Sequence, residues 1–513
     1  MPAPQPPEHH NLSRATLKVA AIEGVRWMAL ARLAAEMLTV SSSIVLAHLV
    51  SPRQFGMLAV AVIVRELALM TANEGVGSPL VQRRDIGRAH LEAGVMLALG
   101  MGLALSLFTL LVVPLATTPL FGAETTQLFR LFSPSFLLVA IMIVPLAQLQ
   151  RELRFRRIGT IEVCGVLASA AVSLGLAFAG LEAKAYVLGM LTGLAVLAVG
   201  YQASVPRTLP RWHRREAREI RRFGVPAAAA GLAGIGYRNV DYIVIGGRLG
   251  PLMAGYYYRA YTLGVEYEAK LTGVLARVTF PLYSRTEDLD HLRSLRLRIV
   301  RLNATLVWPL LACFIVIAPV AVPWIFGARW EPAVVPAQFL AVAGMASTLR
   351  NGTSPLILAA GHPRALLGFC VVEAVAYAGT VWAASFAGLT AVAAAVSGFQ
   401  VVALCAAYAV MLGPMVGVPL RQLARDVAPA GLCSLALVVV GWPLARTLTG
   451  TLPALPFVVV VSLACAAVYL VALRTLFPAA WSDLELLVRS LLRRPPPDAS
   501  RAPLVPAAPA PSR

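Results

Sequence analysis

The chain alternates between long apolar blocks and short loops that carry most of its charge. A helix needs about 20 apolar residues to cross the hydrocarbon core of a bilayer, and backbone groups in lipid must be hydrogen-bonded within the segment. Apolar and polar positions do not alternate inside the blocks, as they would on the strands of a barrel. The pattern therefore predicts an all-α polytopic membrane protein with twelve to fourteen spanning helices. The fourteen candidate spans are 25–50, 56–80, 91–116, 127–150, 158–180, 184–204, 223–247, 252–280, 299–326, 333–359, 365–388, 389–413, 424–448 and 453–477.

One stretch of sequence occurs twice. "IVLAHLVSPRQFGML", which begins at Ile44, resembles "IVIGGRLGPLMAGYY" 199 residues later, with Pro52 aligned on Pro251 and Gly56 on Gly255. In both copies an aliphatic run ends at a proline turn, and glycine opens the next apolar run. Six spans separate the copies, so both halves start on the same side of the membrane and form parallel repeats.

The repeat predicts two pseudo-symmetric lobes of six helices around a central cavity, followed by two further helices. The linker between the lobes is "VPRTLPRWHRREAREIRR", the longest basic loop. The predicted domains are an N-terminal tail (1–24), an N-lobe (25–204), the linker (205–222), a C-lobe (223–414), helices 13 and 14 (415–480), and an amphipathic helix with a Pro-rich tail (481–513).

Composition strengthens the membrane assignment. Of 513 residues 58% are hydrophobic and 13% are charged, and mean hydropathy is +0.74. A soluble protein carries about twice that charged fraction. No cleavable signal is recognisable at the N-terminus. The six cysteines lie inside apolar spans without metal-ligand spacing, so we expect neither a disulfide nor a metal site.

The net charge of +19 is explained by topology rather than by nucleic acid. If the N-terminus is cytoplasmic, thirty of the 44 Lys and Arg lie in inside loops and tails and five in outside loops. This asymmetry follows the positive-inside rule. It predicts cytoplasmic N- and C-termini in a cell inner membrane, with attraction to anionic lipid headgroups.

Nine basic residues remain inside the predicted spans. An Arg at the middle of a span costs about 2.5–3.5 kcal/mol, so each should face the protein interior or a wet cavity. Acidic neighbours at helical spacing suggest three pairs: Arg32 with Glu36, Glu266 with Lys270, and Arg238 with Asp241. Neutralisation between helices and a polar cavity both remain open. The candidate cavity residues are Arg32, Arg65, Arg238, Asp241, Arg259, Glu266, Lys270, Arg277 and Arg350.

The eighth span carries a line of charges. On a straight α-helix Arg259, Glu266, Lys270 and Arg277 fall within roughly 20° of one line over about 27 Å. Glu268 lies off that line. Such a stripe predicts a water-filled cavity beside this helix, or a partner helix that forms salt bridges with it.

Missing motifs narrow the function. There is no GxxxxGK[ST] phosphate loop, so we expect no ATP hydrolysis by the chain itself. The predicted outside loops are too short to build a catalytic domain. We therefore expect a protein that is not an enzyme and that carries no cofactor.

Five motifs resemble those of bacterial polysaccharide flippases, the oligosaccharide exporter branch of the multidrug/oligosaccharidyl-lipid/polysaccharide exporter superfamily. In chain order they are "VSPRQFGMLA" (50–59), "NEGVGSPLVQRRDI" (73–86), "NVDYIVIGGRLGPLMAGYYYRAY" (239–261), "FPLYSR" (280–285) and "IFGARWEPA" (325–333).

The resemblance implies translocation, by alternating access, of undecaprenyl-pyrophosphate-linked oligosaccharide repeat units for exopolysaccharide, O-antigen or capsule synthesis. A coupling ion (proton or sodium) and polysaccharide assembly proteins are implied partners. Related peptidoglycan-precursor flippases use arginines on the first, second and eighth helices, where this chain has Arg32, Arg65 and Arg259. Glu74, in the NEGVG turn, matches an acidic residue of those proteins and is a candidate coupling or hinge residue.

Three alternatives stay open at this point. An ion-coupled multidrug exporter, or an exporter of another lipid-linked precursor, of the same superfamily would favour embedded acids without competing arginines. A membrane polysaccharide polymerase or glycosyltransferase would usually carry a sizeable outside loop. A structural scaffold would need no charged stripe.

Overall fold

The computed structural model describes residues 14–83, 85–270, 272, 289–482 and 484–485. All elements within these residues are helices, in agreement with the predicted class. They are α1 (Arg14–Leu49), α2 (Pro52–Ala72), α3 (Ser78–Gln82), α4 (Arg88–Leu107), α5 (Val113–Phe132), α6 (Pro134–Arg151), α7 (Phe155–Phe178), α8 (Glu182–Gln202), α9 (Arg214–Arg248), α10 (Pro251–Tyr261), α11 (Leu289–Phe326), α12 (Val334–Arg350), α13 (Thr353–Ala359), α14 (Pro363–Ala384), α15 (Leu389–Ala407), α16 (Leu420–Leu448) and α17 (Ala454–Leu476). Short π turns occupy Asn73–Gly77, Phe108–Val112, Thr262–Glu266 and Tyr408–Val416, and 3₁₀ turns occupy Ala328–Ala333 and Ser385–Ala387.

Each copy of the repeated stretch joins two helices, as predicted. In the first copy Ser51 caps α2 by accepting the N–H of Gln54 (3.4 Å), and Pro52 is the first helical residue. In the second copy Gly250, at φ 85°, precedes Pro251, the first residue of α10. Proline suits this position because its missing N–H would have no partner there.

Ten helical segments of the described chain are long and apolar enough to span a bilayer, which makes this a multi-pass membrane protein. One of them, Arg88–Arg151, has 64 residues and covers two predicted spans. Two predicted spans, 56–80 and 223–247, do not qualify, and a third, 252–280, lies partly outside the described residues. Embedded charges lower the apolarity of the two described spans below that of an ordinary membrane helix.

The second and eighth predicted spans are not straight α-helices. A π turn at Asn73–Gly77 follows α2, and another at Thr262–Glu266 follows α10. A π turn inserts an extra residue and changes the face on which every later residue lies. The charged line drawn through Arg259 and Glu266 assumed a continuous α-helix, so that predicted alignment is wrong.

The described residues form two compact units. The first unit comprises those of Met1–Tyr267, Ala318–Ala343 and Leu367–Ala403, and the second those of Glu268–Ile317, Gly344–Leu366 and Leu404–Arg513. The predicted lobes and their boundaries stay predictions.

Close backbone approach packs the first unit. α1 packs on α7 and α7 on α8. A Cβ on Gly193 of α8 would lie 2.9 Å from the carbonyl oxygen of Gly165 on α7, so glycine is needed there. In the second unit α16 packs against α17, and the hydroxyl of Tyr469 donates to the carbonyl of Thr305 on α11 (2.9 Å).

Candidate functional site

The two copies of the repeated motif pack directly against each other where α2 crosses α10. A Cβ on Gly56 would lie 1.6 Å from the carbonyl oxygen of Pro251 and 2.6 Å from the nitrogen of Gly255. Reciprocally, a Cβ on Gly255 would lie 1.8 Å from the carbonyl oxygen of Pro52 and 3.0 Å from the nitrogen of Gly56. Equivalent residues of the two repeats therefore meet backbone to backbone, and no larger side chain fits at either glycine without moving the helices.

Aromatic side chains surround this crossing. The rings of Phe55 and Trp330 meet edge to face with centroids 5.3 Å apart. The indole N–H of Trp330 donates to the carbonyl of Ala47 (3.1 Å), and Arg329 donates to the same carbonyl (3.0 Å). These bonds satisfy acceptors at the C-terminal end of α1. They also bring the motif at 325–333 into contact with the first copy of the repeat.

Arg259 lies one helical turn beyond Gly255, inside this aromatic cluster, and is 1% exposed. Its guanidinium carbon lies 4.3, 5.0 and 5.1 Å from the ring centroids of Phe326, Trp330 and Phe55. Its Nη1 donates to the hydroxyl of Ser43 (3.2 Å), whereas Nε and Nη2 have no hydrogen-bond partner among the described residues. Ring faces stabilise a cation without using its N–H groups. The prediction that Arg259 faces the protein interior is confirmed, and two of its nitrogens remain available to an anion.

Asp241 on α9 is also fully buried, but its carboxylate is satisfied. Oδ2 accepts from the hydroxyls of Tyr257 (2.7 Å) and Tyr377 (3.1 Å), and Oδ1 accepts from the N–H of Tyr242 (2.9 Å). Tyrosines of α10 and α14 thus donate to Asp241. The side chain of Arg238 lies outside the described residues, so its predicted pair with Asp241 stays a prediction.

The other members of the predicted stripe do not share the environment of Arg259. Glu266 and Lys270 are exposed, and Arg277 lies outside the described residues. Glu268, which the straight-helix geometry placed off the line, is 1% exposed. The π turn at Thr262–Glu266 is the physical reason, because its extra residue rotates the following residues, so that Glu268 is buried and Lys270 is exposed.

Two further candidates have local partners. Arg32 lies beside Glu162 of α7 (3.6 Å), so a second helix contributes to its neutralisation. Glu74 lies in the first π turn, where its oxygens accept from Asn73 (3.2 Å) and Ser78 (3.1 Å). Arg350, half-buried, ends α12, and the side chain of Arg65 lies outside the described residues. The substrate and coupling roles of all these residues stay predictions.

Arg296 is the clearest residue that sequence analysis missed. It was assigned to an inside loop, but α11 begins seven residues earlier and buries it completely. Its guanidinium donates to the carbonyls of Leu349 (2.5 Å) and Asn351, to the hydroxyl of Thr353 (3.1 Å) and to that of Tyr408 (3.4 Å). The available signal was its helical spacing from buried residues farther along α11, namely Val300, Asn303 and Val307.

The basic linker is held against the start of α4 by two acid–histidine contacts. Glu92 accepts from His213 (2.9 Å), and Glu219 contacts His90 (3.2 Å) and Arg83 (2.6 Å). The hydrogen bond from His90 lowers the pKa of Glu219 below its ordinary value, with help from nearby arginines and against a smaller opposing effect of burial.

A basic cavity of about 600 Å³ lies where α7 begins and α8 ends. Arg156, beside it, stacks over the ring of Trp27 at 5.2 Å. Arginine and tryptophan together are typical of a membrane interface. The lining residues are Arg154, Arg156, Arg157, Thr160, Ile161, Gly200, Ala203 and Ser204.

Known proteins share both the sequence and the fold. The chain is 26% identical over 442 residues to the lipopolysaccharide biosynthesis protein WzxC of Escherichia coli strain K12, which covers 85% of this chain and 90% of that protein. The lipid II flippase MurJ, in an inward closed conformation, superposes with a TM-score of 0.65 at 14% identity, covering 91% of this chain and 99% of that chain. An inward-facing multidrug resistance MATE transporter gives a TM-score of 0.55 at 14% identity, covering 77% and 95%. These two likenesses show a shared fold.

The family match falls on the residues that build the crossing. The sequence profile described as polysaccharide biosynthesis protein matches residues 45–335, which include all but the first residue of the first repeat copy, the whole second copy, Arg259 and Trp330. The match covers more than half of the chain and agrees with the resemblance seen in the motifs. This chain therefore belongs to the polysaccharide biosynthesis protein family.

Proposed function

We propose that this protein flips lipid-linked oligosaccharide repeat units, carried on undecaprenyl pyrophosphate, across the cell inner membrane for synthesis of a surface polysaccharide. Membership of the polysaccharide biosynthesis family supports the substrate class. The fold supports transport, because the solved proteins that share it are named as a lipid II flippase and a multidrug transporter. We propose a transporter rather than an enzyme.

The observation that carries the proposal is the position of Arg259 at the crossing. Phe55, which covers one face of the guanidinium, belongs to α2, and Arg259 belongs to α10. Separation of α2 from α10 would remove that cover and expose two nitrogens that have no hydrogen-bond partner within the part of the chain that the structure describes. Alternating access at this point would therefore couple opening of the crossing to exposure of an anion site.

The chemistry of the cargo requires such a site. A pyrophosphate cannot enter hydrocarbon unpaired, because burying an uncompensated charge is prohibitive. Arginine suits it, since its planar fork can donate two parallel hydrogen bonds to one phosphate. The aromatic rings around Arg259 would stabilise its charge whenever the phosphate is absent.

Membrane orientation and partners complete the proposal. The positive-inside bias supports cytoplasmic N- and C-termini. The basic cavity at the start of α7 would then face anionic headgroups of the inner leaflet. A coupling ion and polysaccharide assembly proteins are further proposed partners.

The test is the sidedness of lipid-linked sugars in cells that lack the protein, probed with a lectin that reaches only the periplasm. We expect intermediates to accumulate on the cytoplasmic side and to be cleared by the wild type. Arg259→Ala and Arg259→Lys should not clear them, because neither side chain can donate two parallel hydrogen bonds to one phosphate. Arg248→Ala is the matched control, since Arg248 also stacks on aromatic rings (3.8 Å from Phe386) but is exposed.

Other outcomes contradict the proposal in recognisable ways. Intermediates that reach the periplasm without being polymerised would indicate a polymerase or glycosyltransferase. Unchanged intermediates together with increased sensitivity to lipophilic cations would indicate a multidrug exporter.

A further inference from the structure

The carboxyl group of Glu268 is buried with only one of its oxygens satisfied. Its Oε1 accepts hydrogen bonds from the hydroxyls of Thr348 (2.9 Å) and Thr272 (3.1 Å). Its Oε2 is buried and has no hydrogen-bond partner, and no basic side chain of the described residues forms an ion pair with it. The side chain is 1% exposed and follows the π turn of a helix that belongs to a membrane protein.

A carboxylate in this position needs a positive charge. Burial of an isolated carboxylate is so unfavourable that the group either neutralises or pairs with a cation. The two hydroxyl donors on Oε1 and the nearby hydroxyl of Ser347 supply no positive charge to balance the carboxylate. Ionisable groups inside membrane segments commonly mark ion or proton pathways for this reason.

The donors around Glu268 connect it to an interrupted helix. The amide of Asn351 donates to the hydroxyl of Thr272 (2.8 Å), which in turn donates to Glu268. Asn351 and Gly352 separate α12 from α13, and Gly352 has φ 79°. Interrupted helices in transporters place backbone oxygens and side-chain oxygens beside bound Na⁺ or H⁺.

The helix break already contains one cation, which does not reach Glu268 directly. Arg296 of α11 binds the carbonyls of Leu349 and Asn351 and thereby neutralises the C-terminal end of α12. Other charged groups near Glu268 in the chain are Glu266 and Lys270 on its own helix, both exposed, and Arg350 at the end of α12. Within the described residues, hydroxyl groups rather than a basic side chain therefore contact the carboxyl, and the amide of Asn351 acts through Thr272.

We propose that Glu268, with Thr272, Thr348 and Asn351, binds a monovalent cation, H⁺ or Na⁺. Occupancy of Oε2 would fix the carboxyl and its two threonine donors, and loss of the cation would release Asn351 from the same network. The conformation of the break between α12 and α13 would thus depend on whether the ion is bound. Coupling of this ion to oligosaccharide movement rests on the proposed function, whereas the binding step does not.

Binding is tested on the purified full-length protein without sugar substrate. Infrared difference spectra during a pH titration report the protonated-carboxyl stretching band, and radioactive sodium reports direct Na⁺ binding. We expect a titrating carboxyl band or saturable sodium binding in the wild type, and its loss in Glu268→Gln. Glu182→Gln is the control, because this acid is exposed and lies outside the proposed site, and it should keep the signal. A shifted midpoint in Thr348→Val, which removes one donor from Oε1, would support the assignment independently of any folding defect in the glutamine variant.

The infrared titration and the sodium measurement together identify the cation. A titrating band that sodium does not alter indicates H⁺, and a band displaced by sodium indicates Na⁺. If Glu268→Gln retains the wild-type spectrum and sodium binding, the site is wrong.

Coupling is tested separately in proteoliposomes with a fluorescent lipid-linked oligosaccharide. An imposed gradient of the identified cation should accelerate flipping by the wild type, and Glu268→Gln should lose that acceleration while it retains flipping down the lipid gradient. Wild-type flipping that ignores the gradient would overturn coupling. Absence of any flipping would overturn the proposed function and leave the cation result standing.

Discussion

Two arginines, Arg259 and Arg296, are buried to the same degree in different parts of the molecule and do different work. In Arg296, Nη1 and Nη2 donate to two backbone carbonyls and two hydroxyls, and only Nε has no hydrogen-bond partner among the described residues. Arg259 spends one N–H on Ser43 and is otherwise surrounded by aromatic rings. Burial alone therefore does not reveal a binding residue. What separates a structural cation from an available one is whether its donors are already occupied.

The same distinction separates two buried acids. Asp241 has acceptor bonds on both oxygens, from two tyrosine hydroxyls and one backbone N–H. Glu268 has them on one oxygen only. Buried polar groups that make all their hydrogen bonds rigidify a core. A buried polar group without a hydrogen-bond partner costs free energy of folding unless a ligand supplies that partner.

Replacing each arginine with methionine should give the largest difference in stability between the two sites. Arg296→Met leaves the carbonyls of Leu349 and Asn351 without donors. Because each orphaned acceptor costs about 1–3 kcal/mol, we expect a loss of about 2–6 kcal/mol of stability. Arg259→Met removes a cation that has one hydrogen bond and can be replaced by a side chain of similar volume, so stability should change little or rise.

Thermal unfolding of both variants in one detergent, together with the sidedness assay, checks this contrast. Arg296→Met should lower the melting temperature, and Arg259→Met should abolish flipping at a near-normal melting temperature. Equal destabilisation by the two substitutions would remove the distinction between them.

A substitution at the crossing should affect the surroundings of Arg259 and not those of Arg296. In Gly255→Val the added Cβ would lie 1.8 Å from the carbonyl oxygen of Pro52. Overpacking of this kind costs about 1–3 kcal/mol, equivalent to a shift of about 5- to 150-fold between closed and open states. We expect α2 to separate from α10 and flipping to fail.

Thiol accessibility measures that separation. Ser43→Cys, in a background without other cysteines, should react faster with a water-soluble maleimide once Gly255→Val is added. Gly236→Ala is the control, because a Cβ on this glycine of α9 meets nothing within 4 Å. Unchanged reactivity in Gly255→Val would show that the crossing does not cover Arg259.

Single hydroxyls beside the two arginines allow a finer comparison. Among the described residues, Ser43→Ala removes the one hydrogen bond of Arg259, and Thr353→Val removes one of the four of Arg296. Hydrogen bonds to charged groups contribute about 1.5–3 kcal/mol. We expect both variants to lose stability in that range, but only Ser43→Ala should alter flipping. Matched unfolding and flipping assays decide this, and a flipping defect in Thr353→Val alone would reverse the roles.

Sequence patterns predicted the class of fold and the paired repeats, because apolar length and the proline–glycine joints are local properties. They placed Arg259 in the interior for the same reason, since a charge in an apolar block has few alternatives. The alignment of Glu266 and Lys270 with Arg259 failed because a π turn leaves no clear sign in composition. The tyrosine partners of Asp241, the Thr348 partner of Glu268 and the partners of Arg296 lie more than ten residues away in sequence, so no periodicity could assign them.

A surface arginine extends the comparison to the exposed extreme, where we expect the smallest effect. Arg83, at the end of α3, contacts Glu219 (2.6 Å) beside His90 of α4, and the two contacts hold the start of α9 against α3 and α4. The pKa of Glu219 is lowered, mainly by the hydrogen bond from His90. A carboxyl group whose pKa is lowered by folding stabilises the contact above its ordinary pKa of 4.5, and that contribution is lost as the pH falls through the folded value. The linker should therefore stay docked at neutral pH and loosen only below pH 4.5.

Hydrogen exchange at residues 205–213, corrected for intrinsic rates, reports the docking. Glu219→Gln should show raised exchange at neutral pH and a weaker pH dependence, because Glu92 and His213 remain in place. If the variant and the wild type respond identically to pH, the Glu219 contact contributes nothing to docking, and an arginine's hydrogen bonds matter in this protein only where the arginine is buried.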